Sequence, residues 1–204
     1  MASAEEIIKE KIKNNEKVIL EIGCGPYKTN PSFIGIDLLP LPGVDIVHNL
    51  EQGLSFIPDN CIDEIRSSHF FEHIINFEQL MKDIHRILKK DGINKVTVPH
   101  FSNPHYYSDF THKRFFGLYT FEYFSKIKDQ DLKRKVSDFY IDFHFKVICR
   151  KLIFKKNFSP RNIINLLIAN PLFNASNYMK ELYEDKFCFM LPCKEIYYEM
   201  KPIK

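Results

Sequence analysis

The chain has 204 residues, enough for one full hydrophobic core and too few for two comfortable domains. A net charge of +3 is too small to mark a nucleic-acid binder by itself, and 45% hydrophobic beside 27% charged residues is the balance of an ordinary globular protein. Five cysteines, at 24, 61, 149, 188 and 193, make no Cys-x-x-Cys pair and no even set, which predicts reduced thiols and a cytoplasmic setting.

Residues 4–14 read as an amphipathic helix with Ile7, Ile8 and Ile12 on one face, and the charges scattered through it exclude a signal peptide. Strands are expected at 17–22, 33–37, 44–48, 62–67, 93–99, 143–154 and 194–202. Between the fourth and fifth, Phe70, Ile74, Phe77, Met81, Ile84 and Leu88 recur at three- and four-residue steps and predict a core-facing helix over 70–89, ended by Gly92. Further helices are expected at 117–127 and 161–185. The stretch Ile163 to Phe173 is interrupted by Asn165, Asn170 and Pro171 and is too short to span a bilayer. Alternating strands and helices predict an α/β fold: a mostly parallel sheet with an antiparallel edge and helices on both faces.

The first strand runs straight into Gly23-Cys24-Gly25-Pro26, and the second ends on Asp37. Glycine at such a turn tolerates positive φ and lets a ligand lie against the backbone. A carboxylate at the strand end can accept hydrogen bonds from a ribose diol. A nicotinamide dinucleotide would require a third glycine and a helix N-terminus, yet Lys28 stands at that position. Nine residues separate Gly25 from Gly35, with Pro26 and Pro31 among them, so no three-turn helix fits. An extended segment of that length reaches about 30 Å, enough to return along a short strand but not to cover the sheet. The N-terminal helix is expected to cover it instead, burying Ile8 and Ile12. Taken alone, the Gly-x-Gly tripeptide favours a plain structural turn.

The order of Glu21-Ile-Gly-Cys-Gly25, Asp37, Asn49-Leu50, Pro58 to Asp63, Phe71-Glu-His73 and Lys95 to Pro99 resembles the class I S-adenosylmethionine-dependent methyltransferases, over about residues 17–100. Val98-Pro-His100, Asp109 to Phe116 and Glu195 to Glu199 narrow the likeness to a subgroup of predicted methyltransferases associated with surface-glycan genes. The resemblance implies one domain over 1–204: an N-terminal helix (1–16), a cofactor-binding core (17–100), a substrate flap (100–127) and C-terminal strands and helix (128–204). It implies S-adenosylmethionine as cofactor, held by Glu21, Gly23, Cys24, Gly25, Pro26, Asp37, Leu38, Asn49, Leu50 and Ser68. Two positions depart from the family: Asn49 stands where many relatives carry Asp, and the helix after the first glycine loop is nearly absent. Cys24 reads as a small filler rather than a nucleophile.

A hydroxyl acceptor must lose a proton, and a neutral histidine is the expected base. His69 and His100, at the ends of strands four and five, are the catalytic candidates. His105, Tyr106, His112, Lys113 and Arg114 on the flap are expected to bind substrate, the two cations suggesting an anionic feature on it. An exposed charged turn is the alternative for that pair. His100, His105, Asp109 and His112 fit no zinc spacing, so no metal centre is expected. His73 and His85 read as structural. Asn103-Pro-His-Tyr106 resembles the motif of amino-methylating nucleic-acid enzymes but follows the wrong strand.

The leading expectation is methyl transfer to a small polar acceptor, an O-methyltransferase acting on a sugar or other metabolite. An RNA methyltransferase using Lys126–Lys135 and Arg150–Arg161 as a phosphate track is one alternative. A cofactor-binding partner subunit without activity is another.

Overall fold

A computed structural model describes residues 4–14, 16–154 and 165–204. Seven strands make one sheet: β1 (Ile19–Ile22), β2 (Ile34–Asp37), β3 (Ile46–Val47), β4 (Ile62–Ser68), β5 (Leu88–Pro99), β6 (His144–Ile153) and β7 (Glu195–Ile203). Their order is β3-β2-β1-β4-β5-β7-β6, parallel except that β7 runs antiparallel to both neighbours. Leu20 pairs with Ile34 on one side and Ile65 on the other, all three buried on one face of the sheet, while the next row, on the opposite face, is Gly35, Glu21 and Arg66. The predicted mixed sheet and its antiparallel edge are present, each strand within a few residues of its expected bounds.

Helix α1 (Ala4–Lys13) buries Ile8 completely, with Ile7 packed against the same core. Ile12 is 47% exposed, a correction to its expected burial. It lies toward the helix end, where Lys11 leans out to Glu16. The short β1–β2 connection is pinned by polar groups. The buried Glu21 carboxylate accepts from the Thr29 N–H and hydroxyl, both at 2.9 Å. Lys28 Nζ donates to the Phe33 carbonyl (2.9 Å) and to Asp45 (2.6 Å), and Asp45 also accepts from the Gly35 N–H.

Helix α2 (Phe77–Ile87) is shorter than the predicted 70–89. Its stripe of Phe77, Leu80, Met81, Ile84 and Ile87 is buried, but Phe71–His73 form a separate 3-10 turn and Ile74 is extended. Glu51 holds the break: its carboxylate accepts from the Ile75 and Asn76 N–H groups at 2.7 and 2.8 Å. Phe70 and Ile74 keep their core contacts through the turn, which is why the periodicity continues across it. At the other end Leu88 is already strand, paired with Ile62, and Gly92 sits at a register shift within β5 instead of capping the helix.

The helix expected at 117–127 is replaced by 3-10 turns at Thr120–Phe124 and Ile127–Asp129. The buried Gln130 amide shares its protons among the Glu122, Ser125 and Val136 carbonyls, taking acceptors an α-helix would use. Of the helix expected at 161–185, residues 161–164 lie outside the described residues. The rest is broken: a π-helical turn (Asn165–Ala169) leads into α3 (Asn170–Asn174), and Ser176 caps α4 (Asn177–Leu182), which runs into a second π-helical turn (Tyr183–Phe187). No described helix is long and apolar enough to cross a membrane.

Candidate active site at the carboxyl edge of the sheet

Strands β1, β2 and β4 end together. Gly23 (φ 65°) and Gly25 (φ 59°) both turn the chain after β1 in the left-handed region, where a side chain is strained. The two glycines do different things. A Cβ on Gly23 would fall 2.4 Å from the Phe70 ring, so this glycine lets β4's continuation pack against the loop; a Cβ on Gly25 would meet nothing within 4 Å. Asp37 accepts from the Gly25 N–H (2.9 Å) and the Leu39 N–H (3.2 Å), which fixes its carboxylate beside the loop and leaves further lone pairs for a ligand.

A cavity of about 250 Å³ lies here, lined by Gly23, Asp37, Leu38, Asn49, Leu50 and Glu51 and closed by His48, Phe70, His73 and Ile74. Five predicted cofactor residues therefore meet. Glu21, Cys24, Gly25, Pro26 and Ser68 do not line it. Glu21 is spent on Thr29, and Cys24 turns its thiol toward the Gly25 and Gly43 carbonyls. Burial, then the Asp37 and Glu21 carboxylates, push that thiol up to about 11, consistent with a filler. The Asn49 side chain accepts from the Glu51 N–H and caps the turn that follows β3, so its oxygen is already engaged. His48 Nε2 lies 2.8 Å from the Gly53 carbonyl, which can only accept, so that nitrogen carries the proton.

Neither predicted base is free to act as one. His69, itself in the left-handed region (φ 52°), lies between two carboxylates, with Nε2 3.0 Å from Glu195 and Nδ1 3.3 Å from Glu72. Glu195 first and Glu72 second raise it to about 9, so at neutral pH the ring already carries its proton. His100 is fully buried. Its Nδ1 accepts from the Ser102 N–H (3.1 Å) and its Nε2 lies 3.1 Å from Glu184, which also accepts from the Leu118 N–H. It is a structural tie between the end of β5 and the C-terminal helical excursion.

The flap is seated on the turn at 71–75. The Lys113 N–H donates to the Glu72 carbonyl (2.6 Å), and Thr111 Oγ1 is 2.9 Å from His73 Nδ1. Arg114 is spent on the Ile74 and Ile75 carbonyls and lies over the Phe77 ring, a correction to its expected role toward an anionic substrate. Tyr106 is buried, its hydroxyl donating to the Arg114 carbonyl, a fixed strut rather than a substrate contact. Lys113 and His105 are exposed. His112 turns inward, its ring 4.9 Å from that of His73.

His73, read from sequence as structural, thus lines the cavity and meets the flap. Only folding reveals this, because the helical stripe that placed it is broken at Ile74. A second cavity, about 610 Å³, lies between Phe101, Tyr119, Arg134, Tyr178 and the turn at 183–187, and shares no lining residue with the first. The proposed phosphate track fares poorly. Arg150 is buried against Glu122 and Asp131, Arg134 stacks on Tyr119, and residues 155–161 lie outside the described residues.

Residues 20–94 match the family model of a methyltransferase domain. No curated protein matches the sequence. Among solved structures, the chain is similar to a SAM-dependent methyltransferase from Archaeoglobus fulgidus (16% identity, 96% of this chain and 92% of that one, TM-score 0.56). It is also similar to coclaurine N-methyltransferase bound to N-methylheliamine and SAH (13%, 96% and 72%, 0.54) and to MccD protein (14%, 98% and 97%, 0.53). At these identities the structural likeness speaks for the fold.

Proposed function

We propose that the chain is a class I S-adenosylmethionine-dependent methyltransferase that methylates a polar oxygen of a small acceptor, a sugar or another metabolite; the match of residues 20–94 to a methyltransferase-domain model and the likeness of the fold to SAM-dependent methyltransferases support this reading. The observation that carries this reading is that one cavity is walled on one side by the Asp37 strand end and on the other by His73. The residues present fit the cofactor. Gly23 and Asp37 line the cavity, and the Asp37 carboxylate, oriented by two backbone N–H groups, has lone pairs left for ribose hydroxyls. S-adenosylmethionine supplies, when bound, an already activated methyl on a sulfonium.

The protein's share is then orientation and proton management. Holding an acceptor in line beside the cleft can account for several kcal/mol of barrier, about 7 or more in favourable cases. The polar groups that support this reading are His73, which lines the cavity, and His112, whose ring is 4.9 Å from it, in place of His69 and His100. Arg150 is committed to a buried ion pair and Arg134 to the Tyr119 ring, which favours a small acceptor over a phosphate backbone.

The test is incubation with methyl-labelled S-adenosylmethionine and a metabolite extract, with mass-spectrometric detection of labelled products. Asp37→Ala should lose about 1–3 kcal/mol of affinity for the demethylated cofactor, as expected for hydrogen bonds to a charged group. Calorimetry that finds no cofactor binding by the wild type, or an unchanged affinity in the variant, would end this assignment.

A further inference from the structure

We propose that Glu72, His73 and His112 form a divalent-cation site, of zinc type by its donors, that holds the acceptor's oxygen beside the cofactor cavity. One donor atom from each residue lies within 4.8 Å of the others. A carboxylate with two imidazoles is a three-ligand set that leaves a coordination position open for water or substrate.

The hydrogen bonds around the two rings decide which nitrogens are available. Thr111 gives its single hydroxyl proton to Asp109 Oδ1 at 2.5 Å. It must therefore accept from His73 Nδ1–H at 2.9 Å, which leaves the lone pair on His73 Nε2. His112 Nδ1 lies 3.0 Å from the Tyr106 carbonyl, which can only accept, so this ring also carries its proton on Nδ1. Each ring has an oxygen acceptor on Nδ1, the kind of partner that fixes the tautomer of metal-ligating histidines.

Glu72 supplies the second, independent observation. Its side chain is fully buried, and neither carboxylate oxygen receives a hydrogen bond. The protonated His69 ring approaches Oε1 alone, at 3.3 Å, and Oε2 has no partner. A buried carboxylate oxygen left so keeps unused lone pairs, which a cation shared with two imidazole lone pairs would engage. Asp109 Oδ2, 3.5 Å from His112 Nε2, adds negative charge at the rim. Without a cation or an extra proton, that contact sets a lone pair against a carboxylate.

This deepens the methyltransferase reading and, for its role in turnover, rests on it. A cation bound here would hold the acceptor hydroxyl in its open position and lower that hydroxyl's pKa. The oxygen, its proton released to water, would form the O–CH₃ bond as the C–S bond breaks, with the electron pair staying on sulfur. The adjacent Glu72-His73 pair belongs to the turn after β4 and His112 to the flap, so only the seating of the flap assembles the site.

The experiment titrates the chelator-stripped full chain with Zn²⁺ by calorimetry and with Co²⁺ by visible absorption. One equivalent should bind, with Co²⁺ bands of a low-coordinate nitrogen–oxygen site. The His73→Ala/His112→Ala double variant, which keeps all five cysteines, should bind about 100-fold more weakly or not at all. Glu72→Gln and His112→Gln serve as gentler variants, and far-UV circular dichroism checks that each is folded. Equal binding by wild type and folded variants, or no binding by the folded wild type, would overturn the site. Affinity for the demethylated cofactor is measured separately. Metal binding without cofactor binding would sink the methyltransferase reading and leave the cation site standing.

Discussion

At the scale of single residues, the loop after β1 shows how little of a motif's chemistry resides in its letters. Gly23 and Gly25 share a backbone conformation, yet one makes room for Phe70 and the other leaves open surface. Cys24 between them faces inward, and burial together with Asp37 and Glu21 holds its thiol near 11. Because the thiolate is the reactive form, alkylation of Cys24 should be very slow at pH 7.5 and rise about tenfold per pH unit until it nears that value. Peptide mapping after iodoacetamide treatment at a series of pH values would show this. Rapid labelling at pH 7.5 would mean that the loop opens. That Cys24 is a filler was legible in sequence; the unsuitability of His69 and His100 as bases was not. Their partners, Glu195 and Glu184, lie far along the chain and reach them only in the folded protein.

At the scale of elements, the amphipathic helix α1 offers a sharp contrast within one face. Ile8 is fully buried and Ile12 is 47% exposed, although sequence periodicity treats them alike. Ile8→Ala should cost about 2–5 kcal/mol through lost burial and a residual cavity. Ile12→Ala should change stability by less than about 0.5 kcal/mol. Urea denaturation of both variants is the measurement, and equal losses would mean that the helix docks in another rotation. Deleting residues 1–14 should accordingly lower the melting temperature. The break before α2 teaches the same lesson from the other side. The stripe from Phe70 to Leu88 correctly identifies core residues but not the turn at 71–74, because Glu51 takes up N–H groups at the break from a distant part of the chain. His73 owes its place at the cavity to that break, and Glu72 its burial beside it.

At the scale of the whole molecule, the antiparallel edge is locked to the rest by a buried ion pair. Arg150 on β6 reaches Glu122 in the 3-10 turn and Asp131 beyond it, the latter at 2.5 Å. Removing one partner leaves a buried charge uncompensated, so Arg150→Ala should cost about 3–5 kcal/mol. Arg150→Ala combined with Glu122→Leu should recover part of that, since no buried charge then remains opposite the gap. A folded, undiminished single variant in thermal and urea melts would show the pair to be dispensable. This commitment also removes Arg150 from any surface role, which composition and charge runs alone could not decide.

The sequence by itself determined the strands, their α/β alternation and the glycine–carboxylate edge, because apolar periodicity, turn glycines and a strand-ending acid are local signals that the mixed sheet preserves. Only the tertiary structure decided which polar groups stay available. His69, His100 and Arg114 are consumed by partners distant in sequence, whereas His73 and His112, 39 positions apart in the chain, lie with ring centres 4.9 Å apart and their Nδ1 atoms held by Thr111 and the Tyr106 carbonyl. Availability depends on who else reaches an atom, and that is a property of the packed chain.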